Sequence, residues 1–198
     1  MMVENIMINS NDVDIVVKLI EKQGEPISIN RLSNELDIDY KSTYNIVKRF
    51  EKGDLVSLER FGNSYNCILN KKVHPTIFEA EYKRRKEFLK KGNFKVLHRK
   101  LSDLYFPFIA LIFGSYAKGN ETKTSDIDLM VICEKNREND IDRIISLFPL
   151  DIHLVSFNFE EFNSMAKSKE FTVVAEALRN NIILIGIEDF YRMLENVD

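Results

Sequence analysis

A chain of 198 residues, 44% hydrophobic and 30% charged, has apolar material for one large or two small cores. Its formal net charge of −3 excludes a global electrostatic pull toward nucleic acid or membrane. No apolar run approaches membrane length, residues 1–11 carry one acid, Glu4, and no basic residue, unlike a basic leader, and Cys67 and Cys133 share no metal-ligand spacing. The expected setting is a soluble protein of a reducing cytoplasm, without a membrane partner.

Val13, Val16, Val17 and Ile20 recur at helical spacing, with Asn11 or Asp12 placed to cap the helix and Gly24 to stop it. Residues 26–28 read as a short extended piece, and Asn30 is expected to cap a brief helix over 31–36. A turn at 37–39 follows. Asp39 then caps a longer helix, 40–52, which Gly53 ends. Residues 55–59 and 65–69 read as a β-hairpin around a turn at 60–64.

Three helices followed by a hairpin resemble a winged helix-turn-helix domain, over about residues 11–70, on architecture more than on diagnostic residues. In that fold the helix after the turn enters the major groove and the wing reaches flanking backbone. The resemblance implies double-stranded DNA as a partner. The reading residues would be Tyr40, Lys41, Ser42, Tyr44, Asn45, Lys48 and Arg49, with Arg60, Asn63 and Ser64 at the wing, while Ile46, Val47 and Phe50 pack inward. Glu51, Asp54 and Glu59 dilute the basic character, so the same face also suits a solvated surface or a protein-docking module.

Pro75 opens a connecting helix with Phe78, Tyr82 and Leu89 along one side. Winged helices commonly work as dimers, and this stripe would supply a homodimer seam. Over residues 83–100 there are nine basic residues against one acid, Glu87. Such a run could extend a DNA-binding face, draw triphosphate or RNA toward a site, or be a solvated helix face. Gly92-Asn93 breaks it, and Phe94, Val96, Leu97, Leu101 and Leu104 make the next helix.

The apolar strand 108–113 ends abruptly in Gly114-Ser115, and after a short polar connection a second strand opens with Ser125-Asp126-Ile127-Asp128. Strand side chains alternate faces, so Asp126 and Asp128 point the same way, roughly 6 to 7 Å apart, while Ile127, Leu129 and Val131 enter a core. Paired carboxylates repel each other unless a cation sits between them, and Mg²⁺ or Mn²⁺ suits hard oxygen donors. Gly114 lets the backbone approach a ligand, and Ser115 with the following amides can hold phosphate oxygens. A P-loop reading fails because Asn120-Glu121 replace the required Lys-Ser/Thr. A calcium-loop reading lacks its glycine at the sixth position.

Gly114-Ser115-Tyr116-Ala117-Lys118-Gly119, a spacer, then Ser125-Asp126-Ile127-Asp128-Leu129 resemble the signature of the minimal nucleotidyltransferases of the DNA polymerase β superfamily. Lys118 stands where arginine is usual, which keeps the charge and loses the bidentate fork. The resemblance implies a third carboxylate on a later strand, and Asp151 is the match. It implies a catalytic and metal set of Asp126, Asp128 and Asp151, a nucleotide-binding set of Gly114, Ser115 and Lys118, and a nucleoside triphosphate substrate, ATP by preference. The acceptor would be a hydroxyl of a small molecule or a protein, a partner toxin among them. The rival reading is a transcription regulator whose second domain only senses nucleotide.

Further on, residues 141–148 read as an amphipathic helix ended by Pro149, and His153 shares a strand face with Asp151. Helices are expected over 159–167 and 171–180, the second with an apolar stripe of Phe171, Val174, Ala175 and Leu178, then a short strand, 182–185, and a terminal helix. The expected whole is mixed α/β (α+β). It comprises a winged helix-turn-helix domain at 1–72, a connecting basic helix at 73–92 and a polymerase-β-like domain with a small mixed sheet at 93–198.

Overall fold

The computed structural model describes residues 9–168 and 172–195. Phe171, placed by the sequence on an apolar helix stripe, and Glu4, the acid of the first eight residues, lie outside the described residues. The chain separates into two compact units, Met1–Ala80 and Glu81–Asp198.

In the first unit three helices precede a hairpin. Asn9, rather than Asn11 or Asp12, caps α1 (Ser10–Glu21), because Asp12 turns inward to pair with Arg49. Ser28, rather than Asn30, caps α2 (Ile29–Leu36): its backbone is extended and its Oγ accepts from the Arg31 amide. Asp39 and Gly53 bound α3 (Tyr40–Lys52) as expected. The hairpin of β1 (Val56–Phe61) and β2 (Ser64–Leu69) is tighter than the sequence spacing suggested. Its turn is only Gly62-Asn63, with Gly62 at φ 59° as a type II′ turn requires. Ile27, in the extended piece, joins β2: its amide donates to Asn66 Oδ1 at 2.7 Å and its carbonyl accepts from the Cys67 amide at 2.8 Å. Burial, with the Glu51 charge adding, pushes the Cys67 thiol up to about 11, so it stays protonated and inert.

The division between the units falls inside α4 (Pro75–Phe88). In the second unit Gly92 is the first residue of α5 (Gly92–Ser102), so the break expected at Gly92-Asn93 falls just before it. Val96, counted among the residues of this helix, is 43% exposed, and Phe94, Leu97 and Leu101 supply the buried face. Then come β3 (Phe108–Phe113), α6 (Gly114–Lys118), β4 (Ile127–Cys133), α7 (Glu138–Ile145), β5 (Ile152–Phe157), α8 (Phe159–Lys167), α9 (Val173–Arg179), β6 (Ile182–Ile185) and α10 (Ile187–Glu195).

The four strands form a mixed sheet in the order β5-β4-β3-β6, with β4 and β5 parallel and the other pairs antiparallel. Phe108, Ala110 and Ile112 of β3 share a face with Ile127, Leu129 and Val131 of β4, and this face packs on α5 and α7. Leu111, Met130 and Ile132 on the reverse face are also fully buried, and α8, α9 and α10 pack against β3 and β4. A sheet covered on both faces explains why β3 reads as an unbroken apolar run. No helix among the described residues is long and apolar enough to cross a membrane.

One buried polar network locks this unit. Glu81 and Arg84, 2% and 8% exposed, pair at 2.6 Å, and the second Glu81 oxygen accepts from the Tyr191 hydroxyl at 2.8 Å. Arg84 also donates to the Asn181 carbonyl at 2.7 Å, and its Nε has no partner among the described residues. Burial, then the Glu81 charge, raises the Tyr191 hydroxyl well above its usual range. Removing one member strands the other's charge in a dry interior. Arg84→Ala is therefore expected to cost about 3–5 kcal/mol in urea unfolding, whereas Glu87→Ala, which breaks only the exposed Lys90 pair, should leave the unfolding midpoint nearly unchanged.

Candidate functional site

Every residue of β4 is buried except Asp128, a carboxylate placed where the strand pattern calls for an apolar side chain. The sheet register decides what surrounds it. Asp128 lies opposite Phe113 on β3 and opposite His153 on β5, and paired residues share a face. Asp126 and Asp151 each fall one residue before their strands, outside the expected strand starts, yet the ladder still reaches them: the Ile127 amide donates to the Asp151 carbonyl at 2.9 Å. By period two, Asp126, Asp128, Asp151 and His153 belong to one face at one end of the sheet.

Gly114 sits against this acid. Its φ of 65° is left-handed, and a Cβ built there would collide with Asp128 Oδ2, with Cγ at 3.1 Å. The glycine therefore makes room for a protein carboxylate, besides any ligand. From Gly114 the chain enters α6, whose last residue, Lys118, donates to Glu176 of α9 at 2.7 Å. Among the described residues, no side-chain hydrogen bond occupies Ser115. Ser125 is engaged differently: its Oγ accepts from the Thr122 amide at 2.9 Å and so shapes the loop leading to Asp126.

Two further contacts were not legible in the motif. His153 Nδ1 stands 3.4 Å from Asp128 Oδ1, closer to the acid than its strand position alone implied. Glu121, in the loop, pairs with Lys91, whose ammonium also lies over the Phe88 and Tyr116 rings. That ammonium holds the Glu121 carboxyl below its usual range.

The side chains of Asp126 and Asp151 make no hydrogen bond or ion pair with other described residues. Among those residues, no group of three or more His, Cys, Asp or Glu draws together closely enough to hold a metal ion by itself. Carboxylate oxygens are hard donors, the kind that suits a magnesium ion whose shell phosphate oxygens complete.

Residues 98–187 match the family described as polymerase beta, nucleotidyltransferase. The match supports the nucleotidyltransferase superfamily, and nucleotidyl transfer in general, for a stretch that holds Gly114, Ser115, Lys118, Asp126, Asp128 and Asp151. No curated protein and no solved structure matches the chain.

In the first unit, Tyr40, Lys41, Tyr44 and Asn45 are exposed on α3, the two tyrosines at 53% and 42% with their rings stacked 6.3 Å apart. Ile46, Val47 and Phe50 are buried beneath them, as expected. Ser42 donates its amide to the Asp39 cap, and Arg60 is exposed on the hairpin. Lys48 is tied to Glu51, and Arg49 donates to the buried Asp12 at 2.6 Å. Arg49 thus anchors α3 to α1.

Gly114 and Gly119 both have left-handed backbones, but only Gly114 has a neighbour where a side chain would go. Gly119→Ala should cost only the roughly 1–2 kcal/mol of the backbone conformation. Gly114→Ala should cost clearly more and weaken nucleotide binding, measured by denaturation and by titration with ATP. Equal costs would mean that the Asp128 contact is unimportant.

Proposed function

We propose that this protein transfers a nucleoside monophosphate, AMP by preference, from a nucleoside triphosphate to a hydroxyl of a protein or small molecule. The carrying observation is the Asp128 carboxylate seated in the space Gly114 leaves free, with Asp126 and Asp151 at the same end of the sheet, inside the stretch that matches the nucleotidyltransferases.

In this reading Asp126, Asp128 and Asp151 would hold divalent cations, Mg²⁺ or Mn²⁺. When bound, such ions stabilise the entering and leaving oxygens of an in-line displacement. The Gly114 and Ser115 backbone and the Ser115 hydroxyl hold the β- and γ-phosphates, leaving the α-phosphorus open. The acceptor oxygen forms its bond to that phosphorus as the bond to the bridging oxygen breaks, and pyrophosphate departs. Asp151 takes the proton of the acceptor hydroxyl. Lys118 exchanges Glu176 for the leaving-group charge.

The first unit is read as a winged helix-turn-helix that binds double-stranded DNA through Tyr40, Lys41, Ser42, Tyr44, Asn45, Lys48, Arg49 and Arg60. A DNA-binding unit on the same chain suits an autoregulator, such as an antitoxin that modifies a partner toxin. With Lys48 and Arg49 already paired to acids, Lys41 is the cation among these α3 residues that has no ion pair with other described residues. Lys41→Ala should weaken DNA binding and lower the salt slope by about 0.9, with nucleotidyl transfer unaltered.

Label transfer tests the enzymatic reading. The protein is incubated with Mg²⁺ and each α-labelled nucleoside triphosphate, with and without host extract, beside Asp126→Ala/Asp128→Ala and beside a chelator. Label is expected to move to an acceptor and to vanish in both controls. Nucleotide bound without any transfer would instead favour the sensing regulator.

A further inference from the structure

The basic run of residues 83–100 does not form one patch. Arg84 is buried in the Glu81 network, Lys91 is bound to Glu121, and Arg85 donates to the Leu184 carbonyl at 2.9 Å. What remains gathers elsewhere. Between α4 and α5 lies an open groove of about 850 Å³, and no acid is among its lining residues.

The charges along this groove repeat. On the α5 wall Lys95 and Arg99 stand one helical turn apart, about 6 Å along the axis. Lys86 and Lys90 repeat the same four-residue spacing on the α4 side. Lys86, Lys95 and Arg99 make no ion pair or side-chain hydrogen bond with other described residues, and Lys90 has only the exposed Glu87. Burial, with Arg85 beside it, holds His98 below its usual range, so the positive charge near neutral pH comes from lysine and arginine.

Apolar and ring surfaces also line the groove. Leu89 and the exposed Val96 contribute the first, and the Arg85 guanidinium lies over the Tyr82 ring at 5.0 Å. A lone phosphate would use one rung of such a ladder and none of these surfaces. An acidic peptide would use the charges and leave the guanidinium–ring platform idle. Repeated cations beside a surface for flat rings are the features that hold single-stranded nucleic acid, whose phosphates recur at similar intervals and whose bases stack.

We propose that the α4–α5 groove is a binding site for single-stranded nucleic acid, built from residues other than those of the Gly114–Asp128 site. It does not depend on whether nucleotidyl transfer occurs.

The test uses the full chain and a short, mixed-sequence, fluorescently labelled single-stranded RNA, read by anisotropy across a salt series. Lys95→Ala/Arg99→Ala should lower affinity at least tenfold and reduce the slope of log affinity against log salt by about 1.4. Lys135→Ala/Lys167→Ala, which removes two exposed lysines elsewhere in the same unit, should leave the affinity within twofold. Three results would overturn the proposal: no binding at low salt, equal losses in both double variants, or polyglutamate competing as well as unlabelled RNA. Equal losses would mean diffuse charge, and polyglutamate competition would make the groove a seat for an acidic protein segment.

Discussion

The second unit depends on one unfavourable placement, a carboxylate near the start of a strand otherwise sealed on both faces. Asp128 escapes full desolvation because the neighbouring strand ends opposite it and the chain turns away at Gly114, the only residue type that both adopts φ 65° and leaves the carboxylate its space. A larger residue at 114 would push Asp128 off the face that the β4–β5 register assigns to the acids. The apolar strands fix the register, the register fixes the acids, and one glycine keeps the most constrained of them in place.

Where a single local force acted, the sequence was enough to read the fold. Six consecutive apolar residues define β3, and Asp39 and Gly53 bracket α3. Several polar residues competed for one role at the first two helix starts. Asn9, Asn11 and Asp12 could each cap α1, and the choice went to Asn9 because Asp12 is drawn to Arg49, which lies 37 positions away in the chain. The site shows the same division. Gly114 and Asp128 are visible as a motif, but that each occupies the other's space follows only from the β3–β4 pairing.

Charge was the property least legible from sequence. The count over residues 83–100 suggested a uniform basic face, yet Arg84 is spent inside the unit because Glu81, one turn earlier, and Tyr191, over a hundred positions later, meet it there. Lys118, Lys48 and Arg49 each have an acid partner as well. A net charge near neutrality therefore does not mean evenly mixed surfaces. Where local pairing removes acids and bases together, the cations left over define the faces able to attract anions.

Lys91 marks where the two halves of this charge pattern meet. It sits at the turn between α4 and α5, beside the groove, yet its ammonium pairs with Glu121 and lies over Tyr116 of α6. Phe94 of α5 packs edge-on against the same tyrosine at 5.4 Å. An exposed ion pair alone would add little. Combined with two aromatic faces and an edge contact, it fixes the loop after α6 to the helical turn, and that loop carries Thr122 and Ser125 toward Asp126. The position of the first acid is thereby set from the helical layer, whereas Asp128 is set from the sheet. A disturbance at the α4–α5 turn would thus reach Asp126 before it reached Asp128.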